Sequence, residues 1–437
     1  MKKLKGIISD VRDVGGIFFF DLFGDDWVQV VLTKEESEDY KLVKSLKPGS
    51  VVEVEGHYRE NPKLIAKREF HVSRIVNIQA PDDPEHLAYI NLEEPEHRAY
   101  AIRTAKSRAI FRIKAKIAEL TRKFLIDNGF TEIFTPLIVA TATEGGANLF
   151  PLFYYKQRAY LAQSAQFYKQ ASVPALWKVF GLIPSFRAEK SRSKRHLSEF
   201  WEIEIEAAFY NRESLMTLVE NLIYYIATNI YEFCSREFRT LQDLAVREIQ
   251  YLENGKFKIK DEKINQKINE LQQQGRKPEI KIPFQRVTYR EIIKILNEHH
   301  FKVRDNMDIG QAEESFLSTL FTNPFYITDF PATIRGFYYK RVSENTSESV
   351  DLILHEGHGE VMSGGERVSS YNELKNAIES RGLLPDKYKW YLDMFKYGMP
   401  PHAGCGIGFE RFTKWVCGVQ NITDVVMFPR NPDVIVP

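Results

Sequence analysis

Short apolar segments separated by turn signals fill the first 78 residues. Gly6–Ser9, Ile17–Leu22, Trp27–Leu32, Ser50–Tyr58 and Glu69–Ile78 alternate or run apolar, with Gly15-Gly16, Asp25-Asp26 and Pro48-Gly49 among the breaks. Five short strands at this spacing predict a small β-barrel over residues 1–78. A polar stretch rich in Pro, Asp and Glu, residues 79–97, reads as a linker. From Arg98 the period changes. Ile113, Ile117, Leu120 and Phe124 recur at spacings of four, three and four, which predicts one buried helix face, and Gly129 is placed to stop that helix. Thr131 to Ala140 then reads as one extended strand, and Pro136 within it makes it an edge or interface strand. Residues 236–282 are charged and Gln-rich and predict a solvated helical insertion. Thr288 and Glu291 have the spacing of a capping box.

Composition narrows the class. The chain has 437 residues, 43% hydrophobic and 27% charged, as in a soluble globular protein of two or three domains. No apolar run approaches the roughly 20 residues of a membrane span. The basic N-terminus, MKKLKGIISDVRD, lacks the apolar core and cleavage site of a signal peptide, so a cytoplasmic protein is expected. Cys234, Cys405 and Cys417 have no CxxC spacing, which argues for a reducing compartment and against a disulfide framework or a structural zinc site. With 60 Lys plus Arg against 59 Asp plus Glu, any RNA-binding face has to be a local patch.

Three constellations carry chemistry. In the first, Phe186-Arg187-Ala188-Glu189 leads into a loop with Arg192, Lys194, Arg195 and His196. A strand follows in which Trp201, Ile203 and Ile205 alternate strictly with Glu202, Glu204 and Glu206. Alternation alone fits a surface hairpin with a solvated acidic face. An Arg before the loop and the aromatic Phe200 after it also fit a bent ATP held between a strand and a ring, with charge-assisted bonds to its phosphates. The second is Gly404-Cys405-Gly406-Ile407-Gly408-Phe409-Glu410-Arg411, where alternate glycines permit close approach and Arg411 opens a helix. Core packing accounts for the glycines equally well. The third places Glu360 three residues before Ser363, in a segment continuing Gly364-Gly365-Glu366-Arg367. A carboxylate and a hydroxyl at that distance can ligate Mg²⁺ bridging phosphates.

Together and in this order these segments resemble class II aminoacyl-tRNA synthetases, and within them the aspartyl/asparaginyl branch in its archaeal-type short form. The Pro136 segment is similar to motif 1, FRAEKSRSKRHLSEFWEIEIE to motif 2 and GCGIGFERF to motif 3. ATEGGANLF, AYLAQSAQFYKQ, GEVMSGGER, YGMPPHAG and FPRNP read the same way. The resemblance implies an α+β protein, with an N-terminal OB-fold barrel and a catalytic domain over 98–437 whose antiparallel sheet is flanked by helices. It implies ATP, Mg²⁺ and tRNA as ligands and a homodimer built through motif 1. By position, it implies that Arg187 meets the α-phosphate, that Arg195, His196 and Arg411 hold the outer phosphates, and that Glu189, Phe200 and Gly408 complete the ATP site. Glu360 and Ser363, with Asp351, would hold the metal. Glu144, Gln166 and Glu204 would hold the amino acid, with Arg367 and Lys169 toward its side chain.

The amino acid is implied less directly. Motif 2 and EGHGE look asparaginyl, whereas Lys169 and YGMPPHAG look aspartyl. A buried ammonium beside a neutral amide lacks a counter-charge, so an inward Lys169 favours a carboxylate substrate; a solvent-facing Lys169 carries no such preference. Overall likeness points to an asparagine--tRNA ligase. The alternatives are an aspartate-activating enzyme, whether a tRNA ligase or a synthetase-derived asparagine synthetase, and a non-catalytic RNA-binding paralogue. In the barrel, Leu22-Phe23-Gly24 stands where the family has Leu-Arg-Asp, which leaves Phe19 and Gln29 to stack on and read an anticodon base. A core role for Phe19 is an equal alternative.

Overall fold

A computed structural model describes residues 1–24, 27–62, 68–82, 94–141, 148–254, 262–343 and 345–436. The chain divides into two compact units, Met1–Thr104 and Ala105–Pro437.

In the first unit, β1 (Lys2–Val14), β2 (Ile17–Phe23), β3 (Trp27–Thr33), β4 (Val51–Glu60) and β5 (Arg68–Gln79) close a barrel in the order β1-β2-β3-β5-β4. Its interior is the alternating set Phe20, Leu22, Val28, Val30, Leu32, Val52, Val54, Phe70 and Val72. The register sets Phe19 against Val31 and Asp21 against Gln29, so Phe19 and Gln29 share the opposite face of the two strands. Phe19 is half-buried and takes no part in the barrel core.

In the second unit, the helix Ala105–Asp127 buries Ile110, Ile113, Ile117, Leu120 and Leu125, and Gly129 ends it at φ +80°. The segment expected as one strand is instead two. Thr131–Glu132 forms β6, and Ile138–Val139 forms β7 of a small sheet with β8 (Pro151–Tyr154) and β9 (Gln157–Leu161). Pro136, which has no amide hydrogen to give a ladder, lies at the break. The main sheet adds β10 (Lys178–Phe186), β11 (Glu199–Ala208), β12 (Gln285–Thr288), β13 (Phe325–Thr328), β14 (Ser349–Leu354), β15 (Gly359–Glu366) and β16 (His402–Gly408). Eight strands run in the order β12-β13-β14-β15-β16-β11-β10-β6. The interior pairs are antiparallel, while the outermost pairs β12/β13 and β10/β6 are parallel, so the sheet is mixed rather than wholly antiparallel.

One face of this sheet packs Ile203, Ile205, Ile407, Leu352 and Met362 into a core shared with the helices Ala105–Asp127, Arg212–Phe233 and Phe409–Cys417. On the other face Phe325, Ile327 and Ile353 pack a second apolar cluster with the helix Tyr289–Glu298, and β11 presents Glu202, Glu204 and Glu206. Thr288 and Glu291 do form the capping box of the helix Tyr289–Glu298.

The insertion departs from its expected solvated character. The helix Ser235–Asn254 buries Phe238, Leu241 and Ala245, and Glu262–Gln273 buries Leu271. The stripe at spacings of three and four is hidden among charges in the sequence. A backbone bond docks it, the Gly275 amide donating to the Cys417 carbonyl at 2.9 Å, and Gln274 Nε2 ties its two helical parts together through the Leu241 carbonyl at 2.8 Å.

Candidate functional site

The β10–β11 hairpin pairs Phe186 with Glu199, and the Arg187 amide closes its loop on the Ser198 carbonyl at 3.0 Å. Not every loop cation turns inward. Arg192 pairs with Asp433 at 2.7 Å and Lys194 with Glu270 at 3.5 Å, whereas Arg195 is buried. Arg187 lies over the Phe200 ring, 5.2 Å from its centroid, and 3.6 Å from Glu202.

Antiparallel register explains the glycine strand. Glu202 faces Gly408, Glu204 faces Gly406 and Glu206 faces Gly404. A Cβ at 404 would stand 2.1 Å from Glu206 Oε2, and one at 406 would stand 3.3 Å from Glu204 Oε2. The bare strand therefore makes room for a row of carboxylates, and all three are buried rather than solvated. Glu202 accepts from Ser185 Oγ at 2.7 Å. Glu204 accepts from Lys169 Nζ at 2.6 Å, Ser164 Oγ at 2.6 Å and the Ala165 amide at 3.1 Å. Glu206 takes Arg367 Nε at 3.0 Å and lies 3.4 Å from Lys169.

Lys169, only 1% exposed, thus points inward, yet its counter-charge is already present in Glu204 and Glu206. An inward Lys169 therefore does not require a carboxylate substrate. Burial alone would lower the Lys169 pKa, but the two carboxylates overcome it and raise it. Glu206 behaves as the mirror image: burial would raise it, and Arg367 and Lys169 hold it low.

A cavity of about 490 Å³ opens over this row. It brings together Arg187, Glu189, Arg195, His196, Phe200, Gly408 and Arg411 on the motif 2 and 3 segments, Gln166 and Glu204 on the floor, and Glu360 with Ser363 opposite. Three expected residues do not line it. Lys169 and Arg367 are spent on the carboxylate row beneath, and Asp351 is clasped by Arg335, which also donates to Ser363 Oγ at 2.7 Å. Asp351 is therefore a support for Arg335 rather than a free oxygen donor. Glu144 lies outside the described residues.

Arg187, Arg195, Arg335 and Arg411 all line the cavity with Glu360. Burial would raise the Glu360 carboxyl, but Arg411, Arg195, Arg335 and Arg187 hold it below its usual value. Arg411 Nη1 sits 3.2 Å from Glu360 Oε2. Glu314 is pushed up to about 7 by burial and by the charge of Glu360. His196 is lowered by burial and by Arg411, so at neutral pH it offers an uncharged ring.

Several buried donors have no acceptor among the described residues: Nε and Nη1 of Arg195, Nε2 of Gln166 and Nη1 of Arg367. Leaving such groups unpaired costs about 1–3 kcal/mol each. The first two suit phosphate oxygens and Gln166 an amino-acid oxygen, so the cavity fits a nucleotide beside a small polar substrate. Glu360 and Ser363 supply the few hard oxygens that Mg²⁺ takes alongside phosphates, and so fit that ion.

Residues 92–432 match the family described as tRNA synthetases class II (D, K and N), and residues 2–78 match the OB-fold nucleic acid binding domain. The chain belongs to the class II tRNA synthetases. Among its relatives in the D, K and N group, the asparagine--tRNA ligase of Pyrococcus abyssi is 34% identical over all of this chain and 96% of its own length. The aspartate--tRNA(Asp/Asn) ligase of Methanopyrus kandleri is also 34% identical, over 98% of this chain and 94% of its own. The solved asparaginyl-tRNA synthetase of Pyrococcus horikoshii, complexed with asparaginyl-adenylate, superposes with a TM-score of 0.84 at 33% identity, covering all of this chain and 96% of that one.

Beyond the residues given roles from the motifs, this class II synthetase adds supporting groups. Ser164 anchors Glu204, Arg335 spans Asp351 and Ser363, and Glu314 reaches Arg195 at 2.7 Å. Ser164 Oγ also accepts from the Gln166 amide at 3.1 Å, at the start of the helix Gln166–Leu176. In the OB-fold unit, Gln29 Nε2 donates to Glu69 Oε2 at 3.2 Å, and His71 bridges Glu69 and Glu36 at 3.0 and 2.7 Å, none of them foreseen except Gln29. Among the described residues no helix is long and apolar enough to cross a membrane.

Proposed function

We propose that the chain is an asparagine--tRNA ligase that condenses asparagine with ATP and passes the product to tRNA. The observation that carries the choice of amino acid is the charge sum beneath the cavity. Lys169 and Arg367 against Glu204 and Glu206 give zero, with all four side chains at most 2% exposed. A neutral amide enters such a site without stranding a charge. An aspartate carboxylate would add a buried anion beside a row already balanced, at a cost of several kcal/mol. The likeness to a synthetase solved with asparaginyl-adenylate supports the same reading.

In this reading the substrate carboxylate is the nucleophile, and the chain positions it and stabilises charge. Arg187 faces the α-phosphate, where negative charge grows as the oxygen attacks. Arg195, His196 and Arg411 hold the outer phosphates of a bent ATP, with Phe200 under the adenine and Glu189 and Gly408 at its margin. Mg²⁺ held by Glu360 and Ser363 neutralises phosphate charge when bound. Gln166 and Glu204 orient the amino acid, and Arg367 acts on the site through Glu206 beneath the floor. In the barrel, Phe19 stacks on an anticodon base and Gln29, steadied by Glu69, reads it. The active form is a cytoplasmic homodimer. Support for the dimer is an apolar patch on the β7–β9 sheet, with Phe153 at 94% and Tyr155 at 89% exposure and Phe134 just before it.

Pyrophosphate exchange with asparagine and aspartate side by side tests the reading. Exchange is expected with asparagine well above aspartate, and is lost in Arg411→Ala. Exchange driven by aspartate alone would replace it with the aspartate-activating reading, which the Methanopyrus relative keeps in view. Charging of bulk tRNA then separates a ligase from an amide synthetase.

A further inference from the structure

One oxygen of Glu314 serves two elements at once. Its Oε2 accepts from Arg195 Nη2 at 2.7 Å and from the Glu360 amide at 3.1 Å. The same Arg195 Nη2 donates to the Glu360 carbonyl at 3.1 Å. The motif 2 loop, the first turn of the helix Gln311–Leu320 and the start of β15 thereby close a ring. Gly359 leaves space for it: at φ +71° it carries no side chain, and a Cβ there would lie 2.4 Å from Arg195 Nη1. A carboxylate is also at home in the first turn of a helix.

We infer that Glu314 is a positioning residue for the metal–nucleotide complex. It holds Arg195 by one nitrogen at the wall of the cavity, where Nε and Nη1 have no acceptor among the described residues. It also keeps that guanidinium on the backbone of residue 360 and off the carboxylate, where Arg411 already sits at 3.2 Å. Two guanidinium groups on one carboxylate would leave it a poor ligand for a divalent cation. The inference rests on the roles proposed above for Arg195 and Glu360. Glu314 itself touches no reacting atom.

The test uses the full chain, Mn²⁺ as a paramagnetic probe of the metal site, and ATP. In Glu314→Ala, binding of Mn²⁺ with ATP, followed by electron paramagnetic resonance, is expected to weaken roughly 10–100-fold. The KM for ATP in pyrophosphate exchange rises with it while that for the amino acid stays put. Glu314→Gln, which keeps an acceptor oxygen, is expected to recover much of the loss while staying severalfold weaker than wild type. In an Arg195→Ala background the effect of Glu314→Ala on ATP binding should largely vanish. Wild-type metal–ATP binding in Glu314→Ala, or in Glu314→Gln if the alanine variant does not fold, overturns the inference. An equal rise in both KM values also overturns it, since that marks a general loosening. Metal–ATP binding that responds as expected in a chain activating neither amino acid would sink the ligase reading and leave this one standing.

Discussion

Lys414 is almost sealed from solvent, one turn beyond Arg411, and its Nζ has a long bond of 3.4 Å to the Gln420 carbonyl. Burial, and then the nearby Arg195 and Arg411, push its amine down to about 7 from an ordinary 10.5. The sign follows from proton counts. Between those two values the unfolded chain binds a proton that the folded chain has released, so stability climbs with pH across that window and is flat below it. The penalty at neutral pH is on the order of 4 kcal/mol. Lys414→Met, which keeps the apolar stem, is therefore expected to raise the urea midpoint at pH 7. The advantage should fade as pH passes about 10, and midpoints that coincide at both pH values would show the amine to be solvated. Lys169 is the opposite case, because its partners compensate it. Those partners lie 35 and 236 residues away, at Glu204 and the Cys405 carbonyl. No local pattern distinguishes the two lysines, which is why the sequence left the direction of Lys169 open. Arg187, Arg411 and Glu360 were legible because each sits in a run whose spacing has a chemical reason. Glu314 and Arg335 lie in QAEES and TIRGF, which have none, and only the order of β13, β14 and β15 delivers them to the cavity.

At the scale of elements, the insertion shows how polarity can mask packing. Phe238 is fully buried and its ring lies 5.3 Å from that of Tyr231. Phe238→Ala is expected to cost about 3–5 kcal/mol in chemical denaturation. A loss below 1 kcal/mol, on the scale of surface substitutions, would mean that the helix Ser235–Asn254 is after all detached from the core. The helix Ala105–Asp127 and the five barrel strands were readable because their apolar positions repeat with one period throughout. The Thr131–Ala140 segment was not. Its two short strands pair with different sheets, and nothing within ten residues of sequence tells β6 from β7. The acidic face of β11 was readable as a face, but its burial depends on β16 offering glycines opposite each Glu.

At the scale of the molecule, the β7–β9 sheet sets apolar rings in water that a monomer has no reason to expose together. Phe153→Asp combined with Phe134→Glu is expected to halve the mass seen by light scattering from twice the chain mass, with the far-ultraviolet spectrum unchanged. A wild-type chain that already runs as a monomer would remove this prediction and the homodimer with it.

The bare strand under the cavity has a consequence for change over time. A single methyl at 404 would collide with Glu206 and the Ile205 carbonyl, and one at 406 would press on Glu204, so these two positions of β16 leave little room for change. A lineage altering its preferred amino acid has to work from the helix Gln166–Leu176 or from β11 and β15. A mutant library aimed at this pocket loses nothing by holding Gly404 and Gly406 constant.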